Sequence, residues 1–373
     1  MICQGQPTRL LIAGSRDSRL IRTMKGEHMN SQGSILHGRT QLSAFAVIFA
    51  LASLVAALCV ALASPCSAQA SEDGIVYHYK KVEGGVEITS TDIPRAEGIW
   101  TIPATVDGYG VLGFQTGGWA GENAFSGIDL TQAKKIKKIH LSCDMDWKTI
   151  AASNVPELTT FTCTDAYTSL IDLAGCPKLK TAACSGGKLG RIDITGCGKL
   201  SKLNLDGSSV KTITGMTDCV SLREVIISDG RITSLDVNKC PKLTLLDCFF
   251  CKLEKLNVSK NRELTKLEVL GNKLIKLDIT KNTKLKYLGC QKNKLTKLNV
   301  SKNKKLVTID CSHNKFTKLS LANNPSLECL LCAGTGVKTL NLQKNKKLRF
   351  VASSKGTAVV GYRGTLEYWP THL

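Results

Sequence analysis

The chain has 373 residues, of which 43% are hydrophobic, 21% are charged and only 5% are aromatic. This apolar fraction excludes a disordered chain, and the composition also excludes collagen-like and low-complexity fibres. Fifty Lys and Arg residues against thirty Asp and Glu give a net charge of +20, which favours a polyanionic neighbour without naming one.

Two N-terminal segments come first in chain order: a basic leader, residues 1–41, and an uncharged segment, residues 42–70. The apolar stretch in the second segment is long enough to span a bilayer as a helix. It is followed by Ala68-Gln69-Ala70, which has the A-x-A pattern of a cleavage site. We therefore keep two interpretations, a secretory signal peptide cut after Ala70 and an uncleaved N-terminal membrane anchor.

Both interpretations place residues 71–373 outside the cytoplasm, because the excess of Lys and Arg before residue 42 holds the N-terminal end inside. The predicted location is therefore secreted or cell surface, and the membrane is contacted through the N-terminal segment only. Met24 or Met29 is an alternative start of the chain. The pattern does not decide between cleavage and anchoring.

The next segment, residues 71–135, is predicted to form an N-terminal β cap. Its stretch VYHYKKVEGGVEIT predicts a hairpin around Gly84-Gly85. A cap is expected here because a repeat array follows, and the first turn of such an array otherwise leaves an open hydrophobic end.

Residues 136–353 form a repeat array in which one apolar position, here called the anchor, recurs every 21 or 22 residues. Each unit consists of two similar halves, such as LKYLGCQKNK and LTKLNVSKNKK, and apolar residues alternate with polar ones at the start of each half. A period of this length with an L-x-x-L-x-L core is typical of a leucine-rich repeat. The anchors are Ile136, Leu158, Leu179, Leu200, Leu222, Leu243, Leu264, Leu285, Leu306, Leu327 and Leu348.

The predicted fold class is therefore mainly β: a leucine-rich-repeat solenoid with two short parallel strands per 21-residue turn, preceded by the β cap. The strands of successive turns are expected to stack into two parallel sheets on opposite sides of a flattened coil. Residues 354–373 are predicted to be a C-terminal tail.

The repeat resembles the IRREKO class of bacterial leucine-rich repeats, with consensus L-x-x-L-x-(L/C)-x-x-N-x-L-x-x-L-D-L-x-x-N. Residues 243–348 match it almost position by position, and residues 136–242 match more loosely. The stretch 99–125 resembles the BspA-like surface-antigen repeat. The resemblance implies a secreted or surface-displayed protein that binds other proteins or host surfaces.

The cysteines and asparagines follow the repeat. Thirteen cysteines come after residue 70, an odd number that cannot pair completely. One column, five residues after the anchor, contains Cys in some turns and aliphatic residues in others, which indicates core packing of free thiols. A second column changes from Cys176, Cys197, Cys219 and Cys240 to Asn261, Asn282, Asn303, Asn324 and Asn345, and these asparagines are predicted to be structural turn residues.

Neither metal, cofactor nor catalysis is predicted. The pairs Cys248/Cys251 and Cys329/Cys332 have C-x-x-C spacing, but Cys248 and Cys332 already belong to the core column. The recurring Asp residues share a column with Asn, which is a poor source of general acids. No hydrolase, P-loop, zinc-protease or dinucleotide motif is present in the sequence. The protein is therefore predicted not to be an enzyme.

Lysines also recur in columns. From residue 239 to residue 349 there are 25 Lys and Arg and 7 Asp and Glu. Stacked like charges repel, which favours contact with a polyanion such as teichoic acid, a sulfated glycan, mucin or an anionic lipid surface. Nucleic acid is not expected, because these columns lack interleaved aromatic residues. The alternative is that the lysines only maintain solubility. The predicted polyanion-binding residues are Lys252, Lys273, Lys294, Lys315, Lys255, Lys276, Lys297 and Lys318.

A second predicted surface consists of apolar residues at strand positions expected to face solvent: Leu245, Phe249, Leu270, Tyr287, Leu331 and Phe350. Exposed apolar residues on a solenoid favour a protein contact, although crowding by neighbouring side chains is the alternative. Two functions follow. One is an exported, non-enzymatic binding protein that recognises a protein or host surface through its outward strand face. The other is a structural cell-envelope protein, tethered by the N-terminal helix and contacting anionic polymer through lysines.

Overall fold

The computed structural model describes residues 67–70, 75–92, 97–115, 124–142, 147–164 and 167–369, which lie in one compact unit, Ser64–Leu373. The predicted leader and the apolar part of the segment 42–70 lie outside the described residues. Among the residues described, no helix is long and apolar enough to cross a bilayer. The domain boundaries at residues 71, 135 and 353 stay predictions.

The structure consists of short strands and one 3₁₀ turn. In chain order the strands up to the 3₁₀ turn are β1 (Ser67–Ala70), β2 (Val76–Val82), β3 (Gly85–Asp92), β4 (Glu97–Thr101), β5 (Thr105–Val106), β6 (Tyr109–Gln115), β7 (Ala124–Asp129), β8 (Lys138–Ser142), β9 (Thr149–Ala151), β10 (Thr160–Thr164), β11 (Leu170–Asp172), β12 (Thr181–Ser185), β13 (Arg191–Asp193), β14 (Lys202–Asn204) and β15 (Thr212–Thr214).

The 3₁₀ turn follows at Met216–Asp218. The remaining strands are β16 (Glu224–Ile226), β17 (Leu245–Asp247), β18 (Lys266–Glu268), β19 (Tyr287–Gly289), β20 (Thr308–Asp310), β21 (Cys329–Leu331), β22 (Thr339–Asn341), β23 (Phe350–Ser354), β24 (Ala358–Val360) and β25 (Thr365–Trp369).

One long sheet, here called the main sheet, contains one strand from every turn. The parallel run passes from β3 through β6 to β8, then through β10, β12, β14 and β16, through β17 to β21, and finally to β23 and β25. The hairpin predicted around Gly84-Gly85 is present as the antiparallel pair β2–β3. The predicted parallel-strand solenoid is therefore confirmed.

The strands are short because the inward pattern lasts only a few residues in each half-turn. In β17 the central Leu246 is fully buried while Leu245 and Asp247 on either side are half-buried. The inward residues Leu285, Leu288 and Cys290 of one half-turn meet Leu295, Leu298 and Val300 of the other in a continuous apolar core. Burying a leucine stabilises the fold by about 2 kcal/mol, so each turn depends on this column pattern.

A second sheet lies on the opposite side of the coil, but only in the early turns. Strands β4, β7, β9, β11, β13 and β15 pair in parallel, and β22 pairs with β24 near the C-terminus. The repeat pattern predicts two strands in every turn, and this prediction is wrong for the late turns. Between residues 216 and 338, all of which are described, the opposite side has no paired strand.

The second sheet ends where one turn is a residue longer than its neighbours. The step from Leu200 to Leu222 is 22 residues, and the additional residue is absorbed in the 3₁₀ turn directly after β15. Gly215 begins this turn at φ 83°, a left-handed conformation that suits glycine. Cys219 reaches back 25 residues to the Ile194 carbonyl, whereas Cys197 reaches back 24 to Leu173.

Two sequence changes accompany this break. In strands β9, β11, β13 and β15 the central residue is isoleucine, and in the turns that follow the equivalent residue is leucine. The isoleucines are Ile150, Ile171, Ile192 and Ile213, and the leucines are Leu235, Leu256, Leu277, Leu298 and Leu319. β-branched isoleucine favours a strand more than leucine does. The residue before the centre becomes lysine in the turns of Lys255, Lys276, Lys297 and Lys318, and stacked lysines in register would repel one another.

Candidate binding surfaces

The outward face of the main sheet, here called the strand face, contains the predicted partner-binding residues. Strand register places Leu245, Tyr287 and Phe350 in one row with Lys266, Thr308 and Cys329. Leu331 lies in the neighbouring row, and Phe249 and Leu270 lie at the corner that follows the strands. All six predicted residues are half-buried. The structure therefore collects them on one face, although not in one contiguous patch.

Phe250, which the sequence analysis missed, is the most exposed aromatic residue at this corner. It is 39% exposed, and its ring lies 5.8 Å from that of Phe249 in an edge-to-face contact. Phe250 has φ 50° and belongs to a column of left-handed residues whose other members are Gly186, Gly207, Asp229, Gly271, Lys292, His313 and Gly334. The available signal was a large apolar residue in a column that otherwise contains glycine and polar residues.

The ring of Phe250 lies against the next turn at Gly271. A Cβ atom added to Gly271 would lie 2.4 Å from Phe250 Cδ1, so a glycine is required beneath the ring. The ring is thereby held at the surface beside Phe249 and the half-buried Leu270. Phe249, Phe250 and Leu270, here called the corner patch, form the part of the strand face that resembles a protein contact.

Carboxylates form a second, unexpected feature of the strand face. Asp247, Glu268 and Asp310 occupy one row, with Gly289 between the last two. The Tyr287 hydroxyl donates to Glu268 Oε2 at 2.7 Å, and Lys266 Nζ lies 3.5 Å from Asp247 Oδ2. The strand face of this basic protein is therefore locally acidic.

Burial perturbs the ionisation of these groups. It raises the pKa of Glu268 to about 7, against the lowering effect of the Tyr287 hydrogen bond. Burial also raises the pKa of Asp247 and of Asp310 above the ordinary range, although the Lys266 charge opposes this at Asp247. Burial is therefore the main reason that these three carboxylates hold protons more tightly than usual, and among them only Asp247 has a described cation beside it, Lys266.

The predicted turn asparagines are buried and form a ladder of side-chain hydrogen bonds to the backbone. Each Nδ2 donates to two carbonyls of the preceding turn; Asn303 donates to Ile279 O and to Asn282 O, both at 2.9 Å. The same geometry recurs at Asn261, Asn282, Asn324 and Asn345. These asparagines therefore hold successive turns together by donating to backbone carbonyl oxygens.

In the early turns cysteines occupy the same column. Cys176 Sγ donates to Ala152 O at 3.2 Å, and Cys197 Sγ donates to Leu173 O at 3.2 Å. Burial raises the pKa of the Cys197 thiol to about 12. Both thiols are buried and make a single hydrogen bond to the preceding turn where asparagine makes two.

A second asparagine column, which the sequence analysis missed, lies at the other corner of the late turns. Asn293 accepts from Leu274 N at 2.9 Å and donates to Val269 O at 2.8 Å, and Asn272 and Asn314 repeat this pattern. Cys251 begins the column and donates to Ile227 O at 3.2 Å. The signal was the 21-residue spacing of Cys251, Asn272, Asn293 and Asn314, which the C-x-x-C interpretation of Cys251 obscured.

The predicted polyanion-binding lysines lie on the side opposite the strand face, and all eight are exposed. Lys255, Lys276, Lys297 and Lys318 form one row, and Lys252, Lys273, Lys294 and Lys315 form the other. Lys273 lies 4.0 Å from Glu254, an ion pair at the limit of contact. The charge of the late turns is therefore divided between a basic side and an acidic strand face.

Comparison with known proteins supports the fold. No protein-family model matches the chain, and none of the curated proteins compared with it is significantly similar. Among solved structures, the functional domain of InlJ from Listeria monocytogenes, which includes a cysteine ladder, is 26% identical with a TM-score of 0.54. That match covers 62% of this chain and 54% of the InlJ chain, so the protein spans about half of that structure.

An internalin, InlF, from Listeria monocytogenes strain 4b F2365 is 13% identical, with a TM-score of 0.53 over 76% of this chain and 87% of that chain. At this identity the likeness concerns the fold alone. Together with the repeat and the strand register, the two comparisons lead to one conclusion. The chain has a bacterial leucine-rich-repeat solenoid fold, similar to that of the internalins.

Proposed function

We propose that the protein is an exported, non-enzymatic binding protein that recognises a protein partner through its strand face. The observation that carries the proposal is the corner patch, in which the ring of Phe250 is held at the surface over Gly271. Asp229, Lys292 and His313 share the left-handed conformation at this corner, so what distinguishes Phe250 is a large apolar side chain that is exposed there.

The carboxylates next to the corner patch indicate the chemistry of the partner. Asp247 already has Lys266 beside it, and a Lys or Arg side chain of a partner protein would supply a counter-charge for Glu268 and Asp310. We therefore propose a partner segment with an apolar or aromatic anchor for the corner patch and a cation for the carboxylate row. Complementary charge of this kind increases specificity and the association rate more than affinity.

Site-specific photo-cross-linking tests the proposal. A benzophenone amino acid at position 250 would report contacts of the strand face, and the same group at position 275 would report the opposite side, where Ile275 is 55% exposed. With proteins of the bacterial surface or of a host cell, we expect a discrete cross-linked product from position 250. Excess unlabelled protein should compete for it, whereas the variant Phe249→Ser should not.

The matched position supplies the contrary outcome. If position 275 gives the same product as position 250, or if unlabelled Phe249→Ser protein competes as well as the parent, the corner patch is not the recognition surface. Residues 250 and 275 are both exposed and apolar, so the two labelled proteins differ in the position of the cross-linking group and should have similar non-specific binding.

We keep polyanion contact by the lysines as a second candidate, because both rows are exposed and stacked one turn apart. In this alternative the protein is a cell-envelope component held to anionic polymer. Binding to such a polymer should fall steeply with salt, and Lys276→Gln/Lys297→Gln/Lys318→Gln should reduce the slope. If the triple variant binds wall polymer, sulfated glycan and anionic vesicles as well as the parent does, the lysines serve solubility.

We also propose the finer assignments that the resemblance implies: an IRREKO-type repeat, a BspA-like segment at 99–125, and secretion or surface display. N-terminal sequencing of the exported protein would decide between the two leaders. A start at Ser71 would support cleavage, and an intact leader would support an anchor.

A further inference from the structure

A concave groove lies on the side opposite the strand face, at the point where the second sheet ends. Its volume is about 700 Å³, within the usual range for small-ligand sites. Four successive turns contribute to it through the residues that precede β11, β13 and β15 and the equivalent position of the next turn. The lining residues used below are Tyr167, Ser169, Lys188, Ser209, Lys211 and Arg231.

At the floor of the groove, a glycine allows two turns to approach closely. Gly190 lies between Ser169 and Lys211 in the same column, and a Cβ atom added to it would lie 2.5 Å from Ser169 O. The floor is fixed by backbone bonds between turns, Gly190 N to Thr168 O at 2.9 Å and Arg231 N to Val210 O at 2.6 Å. A rigid floor of this kind is suited to holding a ligand in one position.

Three cations line the groove on consecutive turns. Lys188, Lys211 and Arg231 are exposed, and in the described part of the chain none of them pairs with a carboxylate. The nearby Arg191, in contrast, is paired with Asp193 at 2.6 Å. Successive turns lie about 4.8 Å apart, so the three charges extend over roughly 10 Å. Lys188 and Arg231 share a column two turns apart, and Lys211 lies two residues further along the turn between them. A cluster of three such cations suits a ligand with several negative charges.

An aromatic platform and two hydroxyls accompany the charges. Tyr167 is 45% exposed, and Lys188 Nζ lies 5.8 Å from its ring centroid. The negative face of a tyrosine ring attracts the C–H groups on the apolar side of a sugar ring. Ser169 and Ser209 can exchange hydrogen bonds with sugar hydroxyls, and Ser209 is held in place by a left-handed φ of 52°.

We propose that this groove binds one segment of an acidic carbohydrate, with a sugar ring on Tyr167 and its sulfate or carboxylate groups on Lys188, Lys211 and Arg231. The turn spacing is comparable to the length of one sugar unit in an extended glycan. The site lies apart from the strand face and does not require it. It also differs from the lysine rows, which follow it on the later turns without an aromatic platform.

Fluorescence titration with a labelled heparin-derived sulfated hexasaccharide tests the site. The triple variant Lys188→Gln/Lys211→Gln/Arg231→Gln should bind about 100-fold more weakly and should lower the salt slope by roughly two to three charges. Tyr167→Ala should weaken binding about tenfold with an unchanged salt slope, because it removes stacking and no charge. The matched control Lys260→Gln/Lys281→Gln/Lys302→Gln removes the same charge outside both the groove and the two proposed lysine rows, and it should bind nearly as the parent does.

Each of four outcomes would overturn the proposal: equal weakening by the two triple variants, no effect of Tyr167→Ala, equally tight binding of a desulfated and carboxyl-reduced hexasaccharide, or equally tight binding of single-stranded DNA. Single-stranded DNA of equal charge should bind more weakly than the hexasaccharide, and equal affinity would indicate a general anion surface instead. All altered side chains are exposed, so unchanged thermal unfolding verifies the fold of each variant. Failure here leaves the cross-linking result at position 250 unaffected, so the two proposals fail separately.

Discussion

The turns before residue 215 and the turns after it build the same coil with different hydrogen bonds. In the early turns the side opposite the main sheet is a second sheet, in which Ile171 and Ile192 stack in register. In the late turns the asparagine columns supply much of that bonding, as when Asn293 accepts from Leu274 N. A solenoid side therefore needs bonds from turn to turn, and either backbone strands or buried side-chain amides provide them.

The largest expected effect concerns the central column of the main sheet. In the early turns Ala182 pairs in register with Phe161, so a large residue lies beside a small one. In the late turns Leu267 and Leu288 are both large and fully buried. Leu288→Ala should therefore lower the free energy of unfolding in urea by about 2–5 kcal/mol. The double variant Leu267→Phe/Leu288→Ala places a large residue beside a small one, as Phe161 and Ala182 do in the early turns. It should recover part of the lost free energy, and no recovery would show that the late turns cannot adopt this packing.

The carboxylate row should make the late turns respond to pH where the early turns do not. The folded-state pKa of Glu268 is about 7, above its ordinary value of 4.5, so between these values the folded state binds more protons than the unfolded state. Stability should therefore fall as pH rises from about 4.5 to about 7, by about 2–3 kcal/mol in total. Urea unfolding of Glu268→Gln should remove most of this dependence.

Glu254→Gln is the matched control for the pH experiment, because Glu254 is exposed on the opposite side. It should leave the pH dependence as in the parent. The early strands β10, β12 and β14 carry Thr162, Ala183 and Asn204 in the equivalent row, so these three strands have no carboxylate there. A pH dependence that survives Glu268→Gln unchanged would place its origin elsewhere.

The two ladders should differ in how much one residue contributes. Asn303→Ala removes two hydrogen bonds and leaves the carbonyls of Ile279 and Asn282 without this donor, so it should cost about 2 kcal/mol in urea unfolding. Cys197→Ala removes one thiol bond and should cost about 1 kcal/mol or less. The loss in free energy of unfolding for Asn303→Cys should lie between the losses for Asn303→Ala and Cys197→Ala. Equal losses at Asn303 and Cys197 would contradict this account of the ladders.

The smallest effect should follow from converting late turns toward the early pattern. Lys276→Thr/Lys297→Thr/Lys318→Thr relieves the stacked charges at the positions occupied by Thr149 and Thr212 in the early strands. Amide hydrogen exchange on the opposite side should slow, while the free energy of unfolding changes by less than about 1 kcal/mol. Unchanged exchange would show that the leucines, and not the lysines, prevent strand pairing.

The comparison also shows how far the sequence could predict the structure. The anchor spacing was sufficient to predict the solenoid, because a column that is apolar in every turn can only be a core. The central residue of the side opposite the main sheet, isoleucine or leucine, also correlates with the presence of a strand there. The change from Ile213 to Leu235 coincides with the end of the second sheet, but its effect depends on pairing between turns and not on the residue alone.

The surface features were harder to predict for a different reason. Glu268 is acidic in sequence, but its burial depends on Gly289 in the next turn and on the Tyr287 hydroxyl. Phe250 is one of two adjacent phenylalanines, and only the left-handed corner decides which of them faces outward. The groove at Tyr167 is formed by several turns together, so no single repeat unit contains its pattern.

The reach of the ladder bonds restricts how the length of this protein can change. Asn282 contacts the carbonyls of Val258 and Asn261, 24 and 21 residues earlier, and its neighbours repeat these two separations. Deletion or duplication of a whole unit would preserve both separations. Insertion of a single residue would change them unless a local turn such as Met216–Asp218 accommodated the additional residue. The number of turns should therefore change during evolution by whole units. Gain or loss of a unit between the groove and the corner patch would alter the distance between them and leave both surfaces unchanged.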